Sequence, residues 1–172
     1  MKITSIVAVD QENGIGQNGS MPWHHPEDLK WFKYNTVNHV CMIGRTTYEN
    51  VGKLPNRVFW VVTHQQREPI CDPNGNVIVD FQHLEEYKGR ITSGSFTNQY
   101  GPTSNLYVCG GGSIYQQMMP MTDECVVTRI NESHGCDTFF PDLHENGFKK
   151  DAEFELKSDV LTVERWNSAS LV

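Results

Sequence analysis

Within "MPWHHPEDLKWF", residues 21–32, one carboxylate stands in an unusual setting. Trp31 lies three residues after Asp28 and Phe32 four after, so on a helix the acid shares a face with two aromatic rings. A first-turn acid also complements the helix dipole, and Glu27 has the same option. The dipole contributes roughly 0.3–1 kcal/mol and favours the charged form, whereas burial against aromatic rings disfavours it more strongly. Lys30 and Lys33 do not share the aromatic side of the helix. A buried carboxylate without a partner is costly, so these residues point to a ligand that supplies one. A planar amidine edge, with two N–H groups side by side, matches a carboxylate in a bidentate pair.

Two further stretches carry anion chemistry. In "LYVCGGGSIY" an apolar strand runs into Gly110-Gly111-Gly112 and opens a helix. Glycines let a ligand approach the backbone, and a helix start offers free N–H groups. Tyr115 occupies the place of the last glycine of the full dinucleotide fingerprint, and a plain strand-to-helix turn accounts for the same residues. "MIGRTTYENV" repeats the geometry with Gly44, Arg45, Thr46 and Thr47, and Arg45 adds a guanidinium fork suited to phosphate. A solvated Arg beside a capping Thr explains that stretch equally well. Together the turns suit a ligand with separated phosphates, such as a dinucleotide at the carboxyl edge of a sheet.

These groups need a frame to hold them. "ITSIVAV", "HVCMIG", "RVFWVVTH", "GNVIVDF", "LYVCGGG" and "ECVVTRI" read as short buried strands. "PEDLKWFKYNT", "RTTYENVGK", "LEEYKGR" and "SIYQQMMP" read as helices, the first with Pro26 near its start. Such alternation predicts an α/β domain with a largely parallel sheet. "FKKDAEFELKS" and "VLTVERW" predict an antiparallel edge. "DQENGIGQNGS" reads as a mobile loop, and "ITSGSFTNQYGPTSN" as a polar surface excursion.

The 172 residues are enough for one domain, 1–172, with a substantial core. Composition is that of an ordinary globular protein, with 38% hydrophobic and 20% charged residues. A net charge of −7 argues against nucleic-acid binding. The run that opens the chain is too short for a signal peptide, and no apolar stretch reaches membrane length. Five cysteines, without a C-x-x-C, fit a reducing, cytoplasmic compartment and no zinc site. His24-His25 beside Glu27 and Asp28 lacks the i, i+4 histidine spacing of a zinc helix, so exposed histidines and no metal are expected. With no exposed apolar stripe in view, a monomer is expected.

In order and spacing, these segments resemble the dihydrofolate reductase family almost end to end. "GIGQNGSMPW" resembles its active-site loop, "PEDLKWF" its acidic helix and "IGRTTYENVG" its first cofactor turn. "LPNR" resembles its L-P-x-R, "VCGGGSIY" its glycine turn and "CDTFFP" its D-T-x-F-P segment. The resemblance implies a mixed, mostly parallel eight-stranded sheet flanked by helices on both faces, with an antiparallel C-terminal edge. It implies NADPH-dependent reduction of 7,8-dihydrofolate to tetrahydrofolate.

By the same resemblance, Asp28 holds the pteridine 2-amino group and N3, and Thr128 bonds to Asp28. Trp23 positions a water, and Met21 rides on the loop under which solvent delivers a proton to N5. Val7 and Ala8 line the pterin pocket, Leu29, Phe32, Val51 and Leu54 form the slot, and Arg57 pairs with the glutamate α-carboxylate. Ala8, Ile15, Gly16, Gly44, Gly110, Gly111, Gly112, Ser113, Ile114 and Tyr115 contact NADPH. Arg45, Thr46 and Thr47 hold its phosphates, with Thr63 and His64 near the 2′-phosphate. The Gly110–Gly111 bond is expected to be cis. His64 departs from the residues frequent at its position, which suggests a pH-sensitive grip. Two rivals remain: a reductase of the same fold acting on a ribosylated pyrimidine, and a non-catalytic nucleotide-binding module. Neither has a need for the acid–aromatic slot.

Overall fold

The computed structural model describes residues 1–17, 21–51, 54–156 and 161–168. Along the chain run β1 (Ile3–Val9), β2 (Gly14–Gly16), α1 (Pro26–Thr36), β3 (Val40–Gly44), α2 (Arg45–Val51), β4 (Val58–Val62) and β5 (Ile70–Cys71). There follow β6 (Val77–Gln82), α3 (Leu84–Thr92), α4 (Ser95–Tyr100), β7 (Leu106–Val108), α5 (Gly112–Met118) and a 3₁₀ turn, Met119–Met121. The chain continues with β8 (Glu124–Ile130), β9 (Thr138–Phe139), β10 (Phe148–Glu155) and β11 (Leu161–Ser168).

The main sheet has the order β10-β11-β8-β1-β7-β3-β4-β6-β5. From β8 to β6 every pairing is parallel. β10 and β11 extend the sheet antiparallel at one end, and the two-residue β5 pairs antiparallel with β6 at the other. Eight strands are the expected framework, and β5 adds a ninth. Two residues bounded by turns carry too little periodicity to be read as a strand.

Alternation along each strand divides the core between the two faces of the sheet. Val40 and Met42 of β3 join Ile3, Trp60 and Met118 in one cluster, while Cys41 and Ile43 join Phe59, Val61 and Tyr48 in another. α3, α4 and α5 contribute to the first cluster and α2 to the second, so helices cover both faces.

Two expectations change. The stretch 91–105 is not a polar excursion, because α4 brings Phe96 into the core with no exposure. Trp60 stacks on Tyr87 at 4.6 Å and 11°, meets Phe96 edge-on at 5.4 Å, and donates its Nε1–H to the Tyr100 hydroxyl at 3.1 Å. Polar neighbours mask the i, i+4 spacing of Phe96 and Tyr100. The loop after β1 is also structured in part. β2 pairs antiparallel with β9, and the Asp10 carboxylate accepts the N–H groups of Glu12, Gly14 and His134 at 2.9, 2.7 and 3.1 Å. The partners of this loop lie more than a hundred residues away, beyond any local pattern. Residues 18–20 of the same stretch lie outside the described residues.

Candidate active site

α1 begins as its sequence dictates, with Pro26 in its first turn followed by Glu27 and Asp28. Asp28 donates its backbone N–H to the His25 carbonyl at 3.1 Å. Its carboxyl is half-buried, and burial raises its pKa above the ordinary aspartate range. A hydrogen bond from the Thr128 hydroxyl and the nearby His25 partly counter that rise. Among the described residues no lysine or arginine bridges the carboxylate.

Thr128, 1% exposed, comes from β8. It stands opposite Ala8 of β1 in the parallel register, next to buried Val7. Leu29 of α1 and Val51 of α2 remain 36% and 43% exposed, and Met21 49%. Phe32 and Leu54 are half-buried. Large apolar side chains left exposed on α1 and α2, with a half-buried carboxylate on α1, fit an apolar slot for a flat ligand.

Trp23 packs with Ile130 and Leu161, and its ring lies 5.3 Å from that of His134. Its indole Nε1 is buried and has no protein partner among the described residues. Such a donor calls for a bound water or ligand.

Arg57 is 9% exposed and heavily anchored. Its Nε donates to Thr36 Oγ1 at 2.8 Å, Nη2 to the Lys33 carbonyl at 2.8 Å and Nη1 to the Pro55 carbonyl. These bonds tie the end of α1 to the start of β4 and orient the guanidinium. Arg57 and Leu54 border a cavity of about 740 Å³.

The two glycine turns meet as the sheet order requires. β7 and β3 are neighbours, and the Gly44 N–H donates to the Gly110 carbonyl at 2.7 Å. The Gly110–Gly111 peptide is cis, as expected. A Cβ on Gly111 would stand 3.3 Å from Thr47 Oγ1, and one on Gly112 would stand 2.8 Å from Thr138 Cγ2. Side chains at these positions would fill the cradle, so glycine keeps it open.

Beside the cradle opens a cavity of about 1020 Å³. Gly44, Arg45, Thr46 and Thr47 line one side, Gly111, Gly112, Ser113 and Ile114 another, and Thr63 and His64 a third. This open glycine cradle, with hydroxyl and cationic side chains around a cavity of that size, fits a dinucleotide. Arg45 meets Glu49 at 3.3 Å, an exposed pair of little strength that a phosphate can displace.

Of the other expected cofactor residues, Ala8, Ile15, Gly16, Gly110 and Tyr115 do not line this cavity. Ile15 and Gly16 belong to β2, with the Ile15 side chain near Gly112. Gly110 is buried against the Tyr115 ring. The Tyr115 hydroxyl donates to the Ile6 carbonyl at 2.7 Å, so that group is engaged within the core.

His83 and Glu132 are the positions that sequence reasoning missed. Val62 of β4 pairs with Gln82 of β6, which brings His64 beside His83 just past the strand ends. Their Nδ1 atoms lie 3.1 Å apart, and both histidines line the large cavity. A hydrogen bond at that distance requires a proton on one nitrogen and a lone pair on the other. Polar residues following two adjacent strands are a faint sequence signal, and only the register makes them neighbours. His24 is exposed as expected, whereas His25 is partly buried and faces Glu132.

The chain is similar to known proteins over most of its length. A family model described as dihydrofolate reductase matches residues 2–165. The dihydrofolate reductase of Haemophilus influenzae is 33% identical over 148 residues, covering 84% of this chain and 81% of that protein. Dihydrofolate reductase type 6 of Proteus mirabilis is 31% identical over 160 residues, covering 93% and 94%. The dihydrofolate reductase of Enterococcus faecalis, solved in complex with NADP(H) and RAB-propyl, superposes with a TM-score of 0.74 at 27% identity, covering 98% of this chain and 96% of that one.

Proposed function

The chain belongs to the dihydrofolate reductase family, and from that premise we propose how its cleft works. The reaction is reduction of 7,8-dihydrofolate to 5,6,7,8-tetrahydrofolate with NADPH as cofactor. The observation that carries the assignment of roles is Asp28: a carboxylate held by Thr128, pushed up in pKa by burial and bridged by no basic side chain among the described residues. The pterin 2-amino group and N3 supply the missing partner as a bidentate pair.

Val7 and Ala8 form the floor under the pterin. Leu29, Phe32, Val51 and Leu54 enclose its ring and the aminobenzoyl group. Arg57, already oriented by three carbonyl and hydroxyl acceptors, takes the α-carboxylate of the tail. The glycine cradle and the residues of the large cavity hold NADPH. When bound, that cofactor supplies a hydride to pterin C6.

The protein's contribution is to press two flat rings together and exclude water. Trp23, whose buried N–H has no partner among the described residues, holds a water close to the pterin, and Met21 covers the route by which solvent protonates N5. Ionised Asp28 favours the protonated pterin electrostatically. The chain acts as one catalytic domain and as a monomer. Its five cysteines, all free, support a reducing cytoplasmic setting.

The test is the loss of NADPH absorbance when dihydrofolate is added, and its block by methotrexate. Absence of NADPH oxidation overturns the reading. The ribosylated-pyrimidine and non-catalytic alternatives leave the half-buried acid of α1 and the anchored Arg57 without a purpose.

A further inference from the structure

Three ionisable side chains outside the predicted site residues, those of His25, Glu132 and His134, meet behind Trp23 and the start of α1. Glu132 lies two residues past β8. One of its carboxylate oxygens is 2.6 Å from His134 Nε2, and the other is 3.5 Å from His25 Nε2. The His134 ring packs on Trp23, and the His25 carbonyl accepts the Asp28 N–H. One carboxylate therefore connects the support of Trp23 and the start of α1 to the strand that carries Thr128.

We propose that Glu132 is a positioning residue for the reduction, clasping His25 and His134 so that Trp23 and Asp28 stay in register with Thr128. The proposal rests on the roles given above to Trp23 and Asp28.

Glu132 is suited to this because its own backbone is held. Its carbonyl accepts the Gln11 N–H at 2.9 Å, and its N–H donates to the Ile130 carbonyl at 2.8 Å. The neighbouring His134 N–H donates to Asp10 at 3.1 Å, and Ser133 Oγ donates to Glu12 at 2.6 Å. On the other side, His25 makes no side-chain capping bond to α1, so its ring is free to face Glu132. Trp23 has no partner for its N–H among the described residues, so packing, including His134, sets its ring position.

The clasp is electrostatic as well as steric. Asp10 and Glu12 from the loop after β1 accept the His134 N–H and the Ser133 hydroxyl, and His25 acts electrostatically on Asp28 of α1. Arg129 of β8 is engaged with Glu164 at 3.2 Å and with the Asp10 carbonyl. The His134 contact persists with a neutral imidazole as donor, whereas the longer His25 contact attracts chiefly when that ring is charged. A charged His25 also favours ionised Asp28.

The test compares Glu132→Gln and Glu132→Ala with the parent. Backbone hydrogen exchange over residues 21–28 is measured without substrate, and steady-state kinetics are followed across pH. Both variants are expected to exchange faster in 21–28 and to keep the parent KM for NADPH. They are also expected to lose about ten- to a hundredfold in kcat/KM for dihydrofolate. If Glu132→Ala does not fold, the near-isosteric Glu132→Gln carries the test. Unchanged exchange overturns the proposal, and so does faster exchange with unchanged dihydrofolate kinetics. If the parent itself does not turn over dihydrofolate, the functional reading fails, and the proposal falls with it; hydrogen exchange then reports only whether the clasp exists.

Discussion

The Thr128 hydroxyl donates a hydrogen bond to Asp28, joining residues a hundred positions apart on β8 and α1. The bond favours the ionised carboxylate while burial opposes it, and burial dominates. Asp28 is therefore poised to gain from a donor-rich ligand, and its removal has two opposite effects.

Asp28→Asn is expected to lose at least about a hundredfold in turnover at neutral pH, because the amide carries no charge to pair with the pterin. NADPH binding, proposed for the separate glycine-cradle cavity, should be retained. Because the folded pKa is raised, the folded state holds its proton more tightly than the unfolded one. Stability then falls as pH rises from the ordinary aspartate range through the raised value, and the penalty persists at neutral pH. The ligand-free Asn variant should thus melt higher at pH 7, by about 2–4 °C per kcal/mol relieved. Calorimetry with NADPH titration reads both effects.

Thr128→Val removes the bond that favours the carboxylate. Loss of a hydrogen bond to a charged group costs about 1.5–3 kcal/mol. The acid limb of kcat/KM for dihydrofolate should move to higher pH, since Asp28 must be ionised to accept two donors. A limb that stays in place shows that Asp28 does not control it.

His64 and His83 share a hydrogen bond through facing Nδ1 atoms within the large cavity. A phosphomonoester at that end of the cavity favours protonation of the pair. NADPH affinity should weaken as pH rises from about 5.5 to 8, and His83→Ala should flatten that dependence. An NADPH dissociation constant unchanged across the range rejects the role of the pair in gripping phosphate.

Arg57→Lys exchanges an anchored fork for a single ammonium. The acceptors of Lys33, Pro55 and Thr36 lose partners, at about 1–3 kcal/mol for each group left unsatisfied. The melting temperature should fall by several degrees, at about 2–4 °C per kcal/mol. The KM for dihydrofolate should rise while that for NADPH holds. Equal changes in both constants argue for general loosening instead of loss of a tail contact.

Phe96→Ala tests whether α4 belongs to the core. Removing a fully buried ring beside Trp60 should cost about 3–5 kcal/mol, read by denaturant unfolding. The folded fraction should keep its KM values, because Phe96 lines neither cavity.

Sequence alone was enough for several features that depend on neighbours a few positions apart. The helix 26–36 follows from Pro26, its early acids and the spacing of Asp28, Trp31 and Phe32. The parallel strands follow from short β-branched apolar runs, and the strand-to-helix turn at Gly110–Gly112 from glycines that end one of them. Sequence was silent or misleading where a partner is remote. The meeting of Thr128 with Asp28 came from resemblance to a family, not from spacing, while His64 with His83, Glu132 with two histidines, and Phe96 beneath polar neighbours come only from the fold. Apart from the local Glu132–His134 pair, each of those contacts depends on sheet register or on segments packing across tens to more than a hundred residues. Local periodicity encodes which face of an element is apolar, but not which element comes to lie against it.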